Sequence, residues 1–373
     1  MLIVLDPSLI DLIRSSPAIH LDAVSALENI AQARRAGKNL VFADHDTLAF
    51  LKSYQEISAP ARDVFANLYR RRPQSKSLLD GMAWHVRVVA GVDELRIIRD
   101  GNNIISVSFQ YFADNPVLSS KITLLTENSL DGKVFEQIAR YYLYSKSLGH
   151  VRLAYDPHGG GGQTTGDEFA NIQQAKDRLC LCIVDSDRQI PNGSLGSTAK
   201  YLLDKRDSTL PFCHIHVLPV RELENIMPIE LYRRLADKDV NRRDMFNNLK
   251  KMRELGLIDA IKYIDVKKGM RLFDLRCKNQ NDSKYKFWSH IFSSLELQIE
   301  CYSNKICEKR EHCECTVIAG MGDKTLEVTL KALEQIRDAD LKELMEDYCQ
   351  AYWDELGSLF VSWCCVGSRM NTI

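Results

Sequence analysis

The sequence carries almost no net charge: 49 lysines and arginines stand against 50 aspartates and glutamates, a formal balance of −1 over 373 residues. Bulk charge therefore announces no polyanionic partner, and any basic surface has to be local. Arg70-Arg71-Arg72, Arg233-Arg234, Arg242-Arg243 and Lys250-Lys251 are candidates for one, although solvated helix faces account for each alone. There is no apolar run near the ~18 residues of a membrane span. The apolar start, Met1 to Pro7, is short and lacks a basic stretch, so it does not read as a signal peptide and membrane association is not expected. The eleven cysteines are an odd count without an export signal, so reduced thiols and a cytoplasmic location are expected. No internal repeat stands out, and the only low-complexity segment is Gly159 to Gly162. No Gly-Lys-Ser/Thr follows those glycines, which removes the P-loop reading.

What is present is a composition able to build a sizeable core, 45% hydrophobic and 27% charged, and three acidic pairs. The pairs read Glu127-x3-Asp131, Asp185-x-Asp187 and Glu222-x-Glu224, and each follows an apolar run that reads as a strand: Ile122–Leu125, Leu179–Val184 and Ile215–Val220. Open α/β sheets bind ligands outside the carboxyl ends of their strands. Carboxylates gathered there repel one another unless a cation lies among them, and hard oxygen ligands suit Mg²⁺ or Mn²⁺.

A chain of this length is expected to hold two or three domains. Residues 1–115 read as a small α+β domain. Its strands are Leu2–Leu5 and Asn39–Ala43, a helix over Leu21–Ala36 ends at Gly37, and a hairpin turns through Asp100 to Asn103. Residues 116–228 alternate strand and helix, with strands at 122–125, 151–154, 179–184 and 214–218 and helices at 132–147, 167–176 and 198–206. That alternation predicts a Rossmann-like parallel sheet with helices on both faces, hence an α/β fold. Residues 229–373 read as mainly helical, clearest over 326–336 and 341–356.

The middle segment resembles the topoisomerase–primase (Toprim) domain, in the version found in nucleases of the overcoming-lysogenization-defect family. That family's Glu-Gly-x-x-Asp motif is matched by Glu127 to Asp131, with Asn128 where the family has glycine. A glycine turn after the second strand is matched by Gly159 to Gly162, the Asp-x-Asp motif by Asp185-Ser186-Asp187, and a late acidic element by Arg221 to Asn225. The resemblance covers about 110 residues. It implies a Toprim-like sheet, a divalent metal site, nucleic-acid cleavage, and a place among bacterial anti-phage effectors whose activity a partner protein controls.

Phosphodiester hydrolysis suits such residues, because divalent ions stabilise both the attacking and the leaving oxygen of an in-line displacement. Glu127, Asp185 and Asp187 are expected to hold one ion. Asp131, a helical turn beyond Glu127, is expected to help hold a second with Glu222 or Glu224. Helix caps and turns offer the alternative reading, Asp131 above all, and salt bridges offer it for Glu222 and Glu224. Gly160 and Gly161, with Lys133, are candidates for phosphate binding, since glycine lets backbone N–H groups approach an anion closely. Cys301, Cys307, Cys313 and Cys315, with His312, form a candidate structural Zn²⁺ site, although their spacing is not that of a zinc knuckle. Asp6, Asp44 and Asp46, each after an N-terminal strand, are similar in placement to the acids of small PilT N-terminus (PIN) nucleases, and turns explain them equally. The reading is thus a metal-dependent endonuclease acting on DNA or RNA. The alternatives are a non-enzymatic regulatory subunit that keeps the fold and a phosphatase-like hydrolase acting on nucleotides.

Overall fold

The computed structural model describes residues 1–15, 20–91, 96–100, 102–162, 164–272, 282–297 and 315–370. The chain divides into two compact units. The first comprises residues 1–183, 201–216 and 354–373, and the second residues 184–200 and 217–353. This division cuts across the three consecutive segments 1–115, 116–228 and 229–373 expected from the sequence, because the chain leaves the first unit twice and returns.

The first unit begins with β1 (Leu2–Leu5), β2 (Leu40–Ala43), β3 (Trp84–Val89), β4 (Arg96–Asp100) and β5 (Asn102–Ser108) in one sheet of order β2-β1-β3-β5-β4. The β1 residues pair parallel with β2 and β3, β3 pairs parallel with β5, and β4 closes the edge antiparallel, from Arg96↔Ser106 to Asp100↔Asn102. The expected helix forms over His20–Arg35, and the chain turns at Gly37, whose φ of +74° favours glycine. Sequence reading passed over a 22-residue helix, Ala59–Asp80, which Ser58 caps and Pro60 opens.

A second sheet follows, built from β6 (Ile122–Thr126), β8 (Tyr155–Gly159), β9 (Cys180–Val184) and β10 (Cys213–Val217). Its order is β10-β9-β6-β8, and all four strands run parallel. Both β6 and β9 are buried along their whole length, which is why they read as continuous apolar runs. The chain passes from β6 to β8 on one side and then back across β6 to β9 on the other. Both crossovers run through a helix, Ser129–Ser145 from β6 toward β8 and Thr164–Ala175 from β8 to β9. The second strand lies four residues beyond the expected place. Residues 155–159 form it, whereas Arg152–Leu153 make the short β7, because Tyr155-Asp156-Pro157-His158-Gly159 is an exposed edge strand with none of the apolar signature of a central one.

The C-terminal segment comes back to the first unit. Strand β13 (Cys365–Val366) pairs antiparallel with β7, the Met1 ammonium donates to Cys365 O at 2.6 Å, and Arg34 donates to Ser368 O. Trp363 is fully buried, with its ring 5.7 Å from Trp84 and 5.9 Å from His214.

The second unit carries helices Val240–Glu254, Ile258–Tyr263, Ser283–Leu295, Thr325–Gln335 and Asp338–Leu344, and a two-stranded antiparallel ribbon of β11 (Gly269–Arg271) and β12 (Thr316–Ala319). Its core is anchored by two buried indoles, Trp288 donating to Gln189 O at 3.0 Å and Trp353 to Ile226 O at 2.8 Å. Among the described residues no helix is long and apolar enough to cross a membrane.

Candidate functional site

The second unit opens where β9 ends. Asp185 accepts the Leu223 amide on Oδ1 at 3.0 Å. Ser186 is fully buried; its hydroxyl donates to Val220 O, and its own carbonyl accepts the Gly196 amide at 2.8 Å. The Asp187 amide donates to Arg221 O at 2.9 Å. These bonds stitch residues 185–187 to 220–223, so Asp185-x-Asp187 and Glu222-x-Glu224, 37 residues apart, share one place. Asp187 sits at φ +53°, a region aspartate enters more readily than most residues, and its carboxylate packs where a Cβ on Gly196 would lie 2.3 Å from Oδ2.

After Arg221 the chain forms the turn Leu223–Ile226. Asn225 fixes it by accepting the Glu222 amide at 2.8 Å and donating to both Ile261 O and Ile264 O at 2.8 Å. The two glutamates are thereby driven inward, their side chains 9% and 1% exposed. What meets them is Lys267, which sequence reading did not single out. Its ammonium lies 3.4 Å from Glu222 Oε2 and 3.3 Å from Glu224 Oε1. Arg221 reaches Glu222 Oε1 at 3.5 Å and donates to Asp265 at 2.8 Å. Asp265 in turn accepts the Lys268 amide at 2.7 Å and, through its carbonyl, the Gly269 amide at 2.8 Å, closing the turn that presents Lys267.

The electrostatics follow from burial and sign. Burial raises the Glu222 carboxyl to about 7, with Asp265 and Glu224 adding to the rise and Lys267 and Arg221 opposing it. Burial alone lowers a lysine, but Glu224, Glu222 and Asp185 together hold Lys267 well above its usual range, so it stays protonated at neutral pH. Fully ionised, Asp185, Glu222, Glu224 and Asp265 against Arg221 and Lys267 carry a net charge of minus two. Glu224 Oε2 has no hydrogen-bond partner, and Oε1 has only the ammonium at 3.3 Å. Orphaned, buried carboxylate oxygens with surplus negative charge call for further positive charge beside them. The group is nonetheless spaced around a lysine: among the described residues no three His, Cys, Asp or Glu side chains close into a metal-holding cluster.

Glu127 and Asp131 belong to the first unit. The β6–β9 register ends at Thr126↔Ile183, and Glu127 follows directly. Its charge is near enough to add to burial in pushing the Cys182 thiol up. Asp131 completes a capping box: Asn128 accepts the Leu130 amide on its side chain, while its own amide donates to Asp131 Oδ2 at 3.0 Å. Asn128, the departure from the family motif, is thus the N-cap of Ser129–Ser145, and the helix starts three residues earlier than expected. Gly160 and Gly161 donate their amides to Thr126 O and Glu127 O at 2.9 and 3.0 Å. Those two N–H groups hold the end of β6, and Lys133 is exposed on the following helix.

Asp44 caps the helix His45–Leu51 through the amides of Asp46 and Thr47, and Asp6 accepts the Ser8 amide, so both serve local turns. Cys301, Cys307, Cys313 and His312 lie outside the described residues; Cys315 is half-buried, and its carbonyl accepts the Leu272 amide. Compared with family models, curated proteins and solved structures, the chain matches none.

Proposed function

We propose that this chain is a divalent-metal-dependent phosphodiesterase acting on nucleic acid, with a Toprim-like arrangement of its acidic residues. The observation that carries the reading is the convergence of Asp185, Glu222 and Glu224 on Lys267 just past the end of β9, with buried carboxylate oxygens left over and net negative charge. Strand order supports it. The strand order reverses between β6 and β9, and doubly wound sheets bind ligands beyond the strand ends at that switch point. Asp185 directly follows β9.

Asp185, Glu222 and Glu224 are the residues of the second unit that would hold Mg²⁺ or Mn²⁺, with Asp187 beside them in the same unit; Glu127 and Asp131 are the acids of the first unit's motif. The ion would supply a hydroxide nucleophile near neutral pH and charge stabilisation for the phosphoryl group. Lys267, kept protonated by its carboxylates, stands ready to neutralise charge on a phosphoryl or leaving oxygen. Arg221 holds Glu222 and Asp265 in place. The resemblance adds a role in defence against phage under the control of a partner protein, to be tested by plating efficiency on cells carrying the active and inactive forms.

The deciding experiment is cleavage of plasmid, linear DNA and tRNA with Mg²⁺ or Mn²⁺, comparing wild type with Asp185→Asn and Glu224→Gln. Both variants should lose at least a hundredfold in rate while keeping the wild-type circular dichroism spectrum. Unchanged cleavage in both would remove these residues from the chemistry. A second reading has its own observation: Lys267 already fills the carboxylate cluster, as it would in a regulatory subunit that keeps the fold without catalysis. That reading is favoured if no divalent ion binds or supports cleavage.

A further inference from the structure

Beside the acid cluster, the second unit contains an open polar cavity of roughly 500 Å³, within the range of ligand sites. Its wall runs along β11 and the first turn of Ser283–Leu295. Five cationic side chains line it, Arg221, Lys267, Lys268, Arg271 and Lys284, against the acids Asp265 and Asp323. Arg221 and Lys267 face both ways, since Arg221 also reaches Glu222 and Lys267 reaches both glutamates. Asp265 is engaged by Arg221 and by the Lys268 amide. Among the described residues the remaining charged lining is Lys268, Arg271 and Lys284 with the single acid Asp323.

Two backbone devices set this wall. The β11–β12 register slips between Met270 and Arg271, and such a bulge re-aims the side chain after it. Gly269, at φ +74°, passes so close to β12 that a Cβ would lie 2.2 Å from Ile318 O, which fixes where Lys267 and Lys268 emerge. Among the described residues the lining offers no open aromatic face. Trp288 is fully buried and spends its N–H on Gln189 O. Single-stranded nucleic acids are held by cationic grooves for the backbone and by aromatic platforms for the bases. Here there are cations without a platform.

We propose that this cavity seats a phosphate of the nucleic-acid strand neighbouring the one presented to the acid cluster, gripping the backbone without reading the base. The inference rests on the nuclease reading for its substrate, but binding can be measured without cleavage. Lys268, Arg271 and Lys284 are positioning residues, and Lys267 is shared between cavity and cluster.

The test uses full-length protein and a fluorescein-labelled 12-nucleotide single strand, as DNA and as RNA, in EDTA, with anisotropy read across a KCl series. The variant is Lys268→Ser/Arg271→Ser/Lys284→Ser, which leaves Asp185, Glu222, Glu224, Asp265, Arg221 and Lys267 unreplaced. It should bind roughly tenfold or more weakly, and its log–log salt slope should fall by about 0.7 for each phosphate contact removed, equally for different base sequences. Orthophosphate at millimolar concentration should displace the strand from wild type. Wild-type affinity and slope in the triple variant, with an unchanged melting temperature, would overturn the proposal, as would a wild type that binds orthophosphate but no strand. Weakened binding in a protein that cleaves nothing with Mn²⁺ would leave the phosphate seat standing and retire the nuclease; unchanged binding with normal cleavage would do the reverse.

Discussion

Glu222 should make the protein less stable as pH rises, and removing its charge should cancel that loss. The folded state raises this carboxyl from 4.5 to about 7, a value already net of the attraction from Lys267 and Arg221. Because the folded state binds the proton more tightly than the unfolded chain, the contribution to stability is complete below about 4.5 and is lost as pH climbs through 7. A displacement of that size corresponds to about 3 kcal/mol. With the side chain only 9% exposed, solvent screening takes little of it. Urea unfolding at pH 5 and pH 8, followed by tryptophan fluorescence, should show wild type losing up to ~3 kcal/mol across that interval and Glu222→Gln losing correspondingly less. At pH 8 the variant should be the more stable protein. Mn²⁺ at a hundred times its dissociation constant should restore about 2.7 kcal/mol to wild type at pH 8. Equal pH slopes in the two proteins, or a Glu222→Gln variant weaker at pH 8, would refute the argument that burial of charge governs this residue.

Gly269→Ala places a Cβ 2.2 Å from Ile318 O on a backbone at φ +74°, so it should cost about 1–3 kcal/mol in urea unfolding and, by shifting Lys267, lower metal-dependent cleavage more than the stability loss explains. Asp131→Ala breaks one arm of the capping box and should cost about 1 kcal/mol by thermal unfolding; a loss of Mn²⁺-dependent cleavage far beyond that, in folded protein, would show that its second oxygen also serves the ion.

The central sheet was legible because β6 and β9 are buried on both faces and therefore read as unbroken apolar runs. Edge strand β8 was not, since exposure on one side lets it carry Asp156, Pro157 and His158, which belong to no strand pattern. The Ala59–Asp80 helix was missed for a related reason: its arginines and internal proline hide the apolar spacing. The division into units was beyond reach of any reading along the chain, because residues 354–370 pair with β7 and with the N-terminus some 200 to 360 positions away.

At the site, sequence reading found the carboxylates and missed the cation. Motifs built from acids after strands are local, so Asp185, Glu222 and Glu224 stood out; Lys267 comes 43 residues after Glu224, from the turn that leads into β11, and one lysine among many carries no signal. A weaker cue did exist in Asp265-Val266-Lys267-Lys268-Gly269, a charged turn directly after the apolar helix Ile258–Tyr263. The neighbouring pair Glu224-Asn225 shows how the two kinds of residue divide the work. The structural duty falls on Asn225, which ties the turn to Ile261 and Ile264, while Glu224 is left buried with an oxygen that no hydrogen bond meets. A fold seeking stability alone would not bury a carboxylate that way. The cluster is held at a cost, with Glu224 Oε2 buried and met by no hydrogen bond.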